Sequence, residues 1–170
     1  ILFEAIEFFK LRSFWYFITG TTWSPGVIGS QFGALPIFAG TFVITIIALG
    51  VAIPVGLGSA IYMSEYASPK LRDYLKPLLE VLAGIPSVVY GFFAAITVAP
   101  LVVKAAESVG LEATFNSALA SGIVMGIMII PTISSLSDDV IRAVPDSQRK
   151  AAFGLGMTHG ETIKDIVLPS

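Results

Sequence analysis

Between Arg12 and Glu65 the chain carries no charged residue at all. A soluble domain needs a solvated outer face and breaks its apolar stretches with charge; this stretch offers none. Its second half, Leu35 to Met63, is apolar but for Thr41, Thr45, Ser59 and the Tyr62 hydroxyl. At about 1.5 Å per residue it exceeds the ~30 Å hydrocarbon core of a bilayer, so some tilt or kink is expected. Two further uncharged runs, Val81 to Val103 and Ala113 to Ser137, are also long enough to cross. The predicted class is therefore all-α: a polytopic transmembrane helix bundle with spans at about 35–63, 81–103 and 113–137. Charged residues make up only 13% of the chain, against roughly 25% in soluble domains, and the mean hydropathy is +0.84. The runs are too long, internal and repeated to be signal peptides.

Several function classes fall away on composition. With no cysteine there is no disulfide framework and no thiolate metal site. A net charge of -2 leaves no electrostatic footprint for nucleic acid. There is no G-x-x-x-x-G-K-[ST] loop, so no nucleotide site or other cofactor is expected. His159, the single histidine, has no carboxylate at ligand spacing and reads as a solvated turn residue. A chain beginning at Ile1 and stopping just after a Leu-Pro reads as a piece of a longer one.

Lys and Arg set the orientation. Lys70, Arg72 and Lys76 follow the first span and Arg142, Arg149, Lys150 and Lys164 follow the third, whereas only Lys104 lies between the second and third. Positive residues accumulate on the cytoplasmic side, which places the loop Ser64 to Glu80 and the segment 138–170 there, and the turn Lys104 to Glu112 outside. Residues 1–34 read as extracytoplasmic: Ile1 to Phe17 as the end of an earlier span and an interfacial segment, with Trp15, Tyr16 and Trp23 at headgroup level, then a Gly, Ser, Thr and Pro-rich loop.

Within the spans small residues recur at every fourth position: Ala52, Gly56 and Ala60; Ser87, Gly91, Ala95 and Ala99; Ala118, Gly122 and Gly126. Such ladders admit close helix–helix approach where lipid supplies no hydrophobic drive. Pro54, Pro86, Pro100 and Pro131 favour kinks. No ionisable residue lies inside a span, which disfavours a proton-coupled carrier. The groups left for a solute are uncharged: Thr41, Thr45, Ser59, Ser87, Tyr90, Thr97, Asn116, Ser121 and Thr132. The plainer role for most of the hydroxyls is a bond to the carbonyl four residues back.

The segment 138–170 has a different grammar. Val144 precedes Pro145 and is biased out of the helical region, and Pro145 suits the first turn of a helix that runs to about Leu155. Gly156 fits a helix C-terminus, and Thr158 with Glu161 forms a capping box for a second short helix ending before Pro169. A DNA-reading helix-turn-helix needs basic residues for phosphates, and here Lys164 is balanced by Glu161 and Asp165. The alternative is a docking surface, with Ala151, Ala152 and Leu155 offered to a groove on a soluble partner.

The stretch "AAFGLGMTHGETIKDIVLP" resembles the EAA loop of ABC-importer permeases: Ala151, Ala152, Gly156, Ile166, Leu168 and Pro169 fall at the family's spacings, with Lys150 where Glu is frequent. "FGALPIFAGTFVITIIALGVAIPVGLGSAIYMSEYA", "LLEVLAGIPSVVYGFF" and "IRAVPDSQRKAA" resemble phosphate-importer permeases of the PstC type, and the loop "GTTWSPGVIGSQFGALP" favours that type over its PstA sister. The resemblance implies a type I importer permease fold of about six spans, working with a PstA-like second permease subunit, a cytoplasmic ATPase dimer that hydrolyses ATP, and an extracytoplasmic phosphate-binding protein. It makes Ala151, Ala152, Leu155, Gly156, Thr158, Glu161, Ile166, Leu168 and Pro169 the coupling residues, in an inner-membrane protein whose segment 138–170 is the cytoplasmic coupling loop. Two readings stand beside it: a membrane-tethered regulator, and a membrane enzyme, which would need a polar constellation that the sequence does not display. The sister permease and a permease for another solute stay open within the family.

Overall fold

The computed structural model describes residues 2–26, 29–112 and 117–169, so Asn116 and the expected start of the third span at Ala113 lie outside the described residues. The chain divides into two compact units, Ile1–Ile46 and Ile47–Ser170, with the boundary inside one long helix.

In the first unit, helices α1 (Leu2–Leu11) and α2 (Phe14–Thr19) precede a minimal antiparallel pair, β1 (Trp23–Ser24) and β2 (Gln31–Phe32), with Trp23 opposite Phe32. Phe8, Phe9, Phe14, Phe17 and Phe32 meet edge to face, and Trp23 joins through Phe32. The loop expected from its turn residues thus contains a short hairpin.

Helix α3 (Leu35–Ile61) carries the first charge-free run and widens at its end into a π-helical turn, Tyr62–Tyr66, closed by the Ala67 amide on the Tyr62 carbonyl at 2.8 Å. Helix α4 (Pro69–Ala83) follows, capped by Ser68. The second apolar helix starts at Ser87 rather than Val81, because Val81–Ala83 complete α4 and Ile85, held off helical geometry by Pro86, breaks the chain there. It comprises α5 (Ser87–Phe93), a π turn (Ala94–Val98) and α6 (Ala99–Ser108). The third, α7 (Ala118–Ala143), runs through Asp138, Asp139 and Arg142 before Val144 and Pro145 end it. Leu35–Tyr66, Ser87–Ser108 and Ala118–Ala143 are each long and apolar enough to cross a membrane. The chain closes with α8 (Asp146–Gly154), α9 (His159–Thr162) and a π turn, Ile163–Val167.

The small-residue ladders behave differently from one another. Ala52 and Ala60 are fully buried, and a Cβ on Gly56 would lie 2.8 Å from the Ile133 side chain. At Gly126 a Cβ would lie 2.9 Å from the Ala48 carbonyl oxygen and 2.8 Å from the Val51 Cβ; with Gly122 also buried, α3 and α7 meet across glycine. Ala99 is buried too, but Ser87, Gly91 and Ala95 are exposed, and a Cβ on Gly91 would meet nothing within 4 Å. Among the described residues no close approach is made at Gly91. Thr41 and Ser59 donate to the carbonyls of Ile37 and Val55, four residues back.

Replacing Gly126 by Val in the full-length protein should therefore overpack the α3–α7 contact by about 1–3 kcal/mol. Gly50→Ala, where the added methyl meets nothing within 4 Å, should be neutral or stabilising. Thermal unfolding in detergent distinguishes them: equal midpoints would mean that α3 and α7 do not pack through Gly126.

Candidate functional site: a helix–turn–helix tethered to two helix ends

The turn between α8 and α9 is built locally. Gly156 adopts φ 84°, in the left-handed region that glycine enters without penalty, and the Met157 amide reaches back to the Ala152 carbonyl at 3.2 Å. Thr158 caps α9: its hydroxyl accepts the Glu161 amide at 3.3 Å, while the Glu161 carboxylate accepts the Thr158 amide at 2.7 Å. That amide bond, with the Thr158 hydroxyl second, holds the Glu161 carboxyl below its ordinary pKa. Pro145 stands at the N-cap of α8 rather than inside its first turn.

Folding gathers most of the coupling candidates. Ala151, Ala152, Leu155, Ile166 and Pro169 line one open groove of about 400 Å³, joined by Gln148, Met157 and Asp165. Leu155 is 84% exposed at its rim and Ala152 is buried beneath it. Thr158 and Glu161 shape the second helix and do not line the groove. Leu168 borders a different hollow, with Leu57, Leu136 and Val140. A further cavity of about 430 Å³ lies between the second and third apolar helices, lined by Ser87, Tyr90, Gly91, Ala95, Ser121 and Met128 among others, without a charged side chain.

The sequence pattern did not disclose what holds this loop. Arg149, on α8, donates from Nη1 to Glu65 Oε1 at 2.5 Å and from Nη2 to the Ile141 carbonyl at 2.8 Å. The Glu65 side chain is only 4% exposed. One guanidinium thus joins the loop to the ends of both α3 and α7. His159 Nε2 lies 3.6 Å from Glu65 Oε2, its ring stacked on Phe153 and edge-on to Tyr66; it is solvated, as expected, with a side chain 45% exposed, and it also neighbours a buried carboxylate. Ala60, Ile141, Val144 and Val167 form a buried apolar cluster drawn from α3, α7 and the loop. Taking a carboxylate out of water costs several kcal/mol unless it is paired and hydrogen-bonded, which is the role Arg149 fills.

A second tether joins α4 to α7. Arg72 grips Asp138 through both oxygens, Nη2 to Oδ2 at 2.7 Å and Nε to Oδ1 at 3.4 Å, with Asp138 fully buried. This hydrogen bond, ahead of the opposing effect of burial, raises the pKa of Arg72, so its charge persists at any working pH. Lys76 pairs with Asp139 one turn along. In the sequence Arg72, Lys76 and Arg149 bear only on orientation; the signal for their pairing is that Glu65, Asp138 and Asp139 sit at the ends of apolar runs, where an acid needs a cation.

A bundle of membrane-length helices closed at one end by a charge-tethered helix–glycine–helix groove is the architecture of a membrane permease component. Residues 52–170, well over half the chain, match the family described as binding-protein-dependent transport system inner membrane component, and the chain belongs to that family. It is 37% identical over 91% of its length to a probable ABC transporter permease protein, YqgH, of Bacillus subtilis, covering 48% of that protein. It is 34% identical over 90% of its length to the phosphate transport system permease protein PstC of Mesorhizobium japonicum, and 32% over 98% to PstC 1 of Mycobacterium tuberculosis, covering 51% and 57% of those proteins. The chain thus spans about half the length of the curated relatives it matches. An inward-facing structure of the MetNI methionine ABC transporter superposes over 81% of this chain and 60% of its own, with a TM-score of 0.52 at 17% identity, which establishes the ABC importer permease fold.

Two measurements probe the site. In a double-mutant cycle on the full-length protein, Glu65→Gln and Arg149→Gln should show a coupling of about 0.5–3 kcal/mol in the opening of α8, read by amide hydrogen exchange; zero coupling would mean that the pair does not hold the loop. The cap is pH-sensitive in a defined direction. Because folding lowers the Glu161 pKa, its contribution is complete above the unfolded carboxyl value and is lost as pH falls through the folded one. Protection of the α9 amides should decline on acidification through that window in the parent and stay flat in Glu161→Gln; parallel profiles would remove the carboxylate from the cap.

Proposed function

We propose that the chain is part of the permease subunit of an ATP-driven phosphate importer, and that residues 145–169 are its coupling element to a cytoplasmic ATPase. The observation that carries this reading is the tether: the groove-bearing loop is joined through Arg149 to Glu65 and Ile141, so a push on the loop moves the ends of α3 and α7 together. The relatives named as phosphate transport permeases support the solute, and the uncharged cavity between the second and third helices is consistent with passage that uses no titrating group.

In this reading the ATPase dimer, a partner, carries out hydrolysis, and the groove of Ala151, Ala152, Leu155, Ile166 and Pro169 receives or abuts its surface. An extracytoplasmic phosphate-binding protein delivers the solute on the opposite face. The face bearing Ser87, Gly91 and Ala95, which lines the cavity between the second and third helices, completes the path together with a second, PstA-like permease subunit. The cations following the first and third helices support a position of the loop on the cytoplasmic face of the inner membrane. Closure of the ATPase dimer then displaces α8 and α9, and the two helix ends follow through the Arg149–Glu65 ion pair and the Arg149–Ile141 hydrogen bond: a rigid-body shift of packed helices that changes which side of the membrane the path faces.

Gly156 provides the test. No atom crowds a Cβ there, but φ 84° strains any β-branched residue, at about 1–3 kcal/mol. In the full transporter, Gly156→Val should lower phosphate uptake and solute-stimulated ATP hydrolysis together while the separate binding protein binds phosphate as before. Gly156→Asn, which tolerates this conformation, should retain most of both. Wild-type coupling in an assembled Gly156→Val transporter would show that the turn does not transmit, and an unimpaired ATPase response to a different solute would reassign the substrate.

A further inference from the structure

Helix α4 divides its surface into three sectors. At about 100° per residue, Arg72, Leu75, Lys76, Leu79 and Leu82 fall on one side, and all of them are half-buried against the bundle. Asp73, Pro77 and Glu80 form a second side, polar and exposed. The third is an exposed apolar stripe at heptad-like spacing: Leu71, Tyr74, Leu78 and Val81, 40%, 80%, 53% and 68% exposed. The sectors are centred roughly 120° apart by the same helical geometry. A helix meeting only protein and water has no use for the third.

The level at which α4 lies follows from its connections and its crossings. Only Ala67 and Ser68 separate it from the π turn that ends the first membrane-length helix, and only Gly84, Ile85 and Pro86 separate it from the second. Arg72 and Lys76 sit one turn apart on α4, about 6 Å, yet they pair with adjacent residues of α7, Asp138 and Asp139, about 1.5 Å apart along its axis. Helix α4 therefore crosses α7 instead of running beside it. On the same stretch, Leu75 and Leu79 border a cavity of about 370 Å³ with Gly58, Tyr62 and Met63 of the first helix. Both crossings fall near the ends of the helices that α4 meets, and its two short links hold both of its own ends at that level.

We propose that α4 is an in-plane membrane-surface helix, its Leu71, Tyr74, Leu78 and Val81 stripe covered by lipid at the cytoplasmic boundary between headgroups and acyl chains. A helix at that boundary needs one face for the bundle, one for hydrocarbon and one for water, and the three sectors supply them. Tyr74, the most exposed residue of the stripe, presents an apolar ring with a polar tip, the chemistry enriched at headgroup level. Lys70 falls between the apolar and polar sectors, where its ammonium reaches water while its stem lies along the stripe. The ion pairs to Asp138 and Asp139 are what hold this orientation.

This inference rests on the reading that the flanking helices cross the membrane, and the experiment separates the two. Nitroxide labels are placed singly at positions 53, 73, 74, 80 and 81 of the full transporter in proteoliposomes, and their accessibility to oxygen and to a water-soluble nickel chelate is compared. Position 53 lies on an exposed face of the first membrane-length helix. The expected result is an oxygen-to-nickel ratio several-fold higher at 53, 74 and 81 than at 73 and 80. A high ratio at 53 with positions 74 and 81 shielded from both reagents would show that a protein partner covers the stripe, and would overturn the proposal while leaving the spans in place. A low ratio at 53 itself would overturn the spanning reading and the proposal with it. Tyr74→Trp, with quenching by brominated lipid, repeats the measurement without a label: unquenched fluorescence would count against lipid contact.

Discussion

The arrangement depends on the burial of Glu65. A carboxylate at the end of a long uncharged helix, 4% exposed, is tolerable only if a cation comes to it with its hydrogen bonds in place. Arg149 does so, and its second donor reaches the Ile141 carbonyl, so the end of the first membrane-length helix, 84 residues away in the chain, becomes one mechanical unit with α7 and α8. The apolar cluster of Ala60, Ile141, Val144 and Val167 shares Ile141 with that arrangement. Hydrophobic contact alone would let the loop slide over the helix ends; a directional, charge-assisted bond fixes its register.

The same logic repeats at Arg72 and Asp138, with a different consequence. There the ion pair sets the roll of α4 about its own axis, turning its half-buried face to the bundle and leaving an apolar stripe outward. Helix-to-helix packing between α3 and α7 is achieved by subtraction instead, through Gly126 and Gly56, where backbone meets side chain at distances that no Cβ would permit. Charge organises one end of the bundle and the absence of side chains organises its middle. A coupling element has to be stiff where it joins the helices and adaptable where it meets a partner, and the exposed Leu155 and open groove supply the second surface.

Much of this was legible from the chain alone, and the features that were share a physical character. The membrane-length helices followed from uninterrupted apolar runs; the turn at Gly156 and the Thr158–Glu161 box followed from interactions spanning three or four residues. Boundaries were less legible where charge was taken as the end of a helix. Asp138 and Asp139 do not stop α7, because their partners arrive from α4, and Val81 does not begin the second apolar helix, because Pro86 has the stronger claim on the backbone. The ladder through Gly91 had the same spacing as the one through Gly126, yet among the described residues only the second is occupied.

By itself, the sequence determined the all-helical character, the membrane-length spans and the helix–glycine–helix motif, since these depend on apolar content, on one backbone conformation and on near-neighbour hydrogen bonds. Tertiary structure alone decided which charges meet. Glu65 and Arg149 are 84 residues apart and Arg72 and Asp138 are 66 apart, and nothing in local propensity distinguishes those pairings from the other cation–anion combinations the chain contains. They are selected because folding brings those groups, and not others, out of water at the same place.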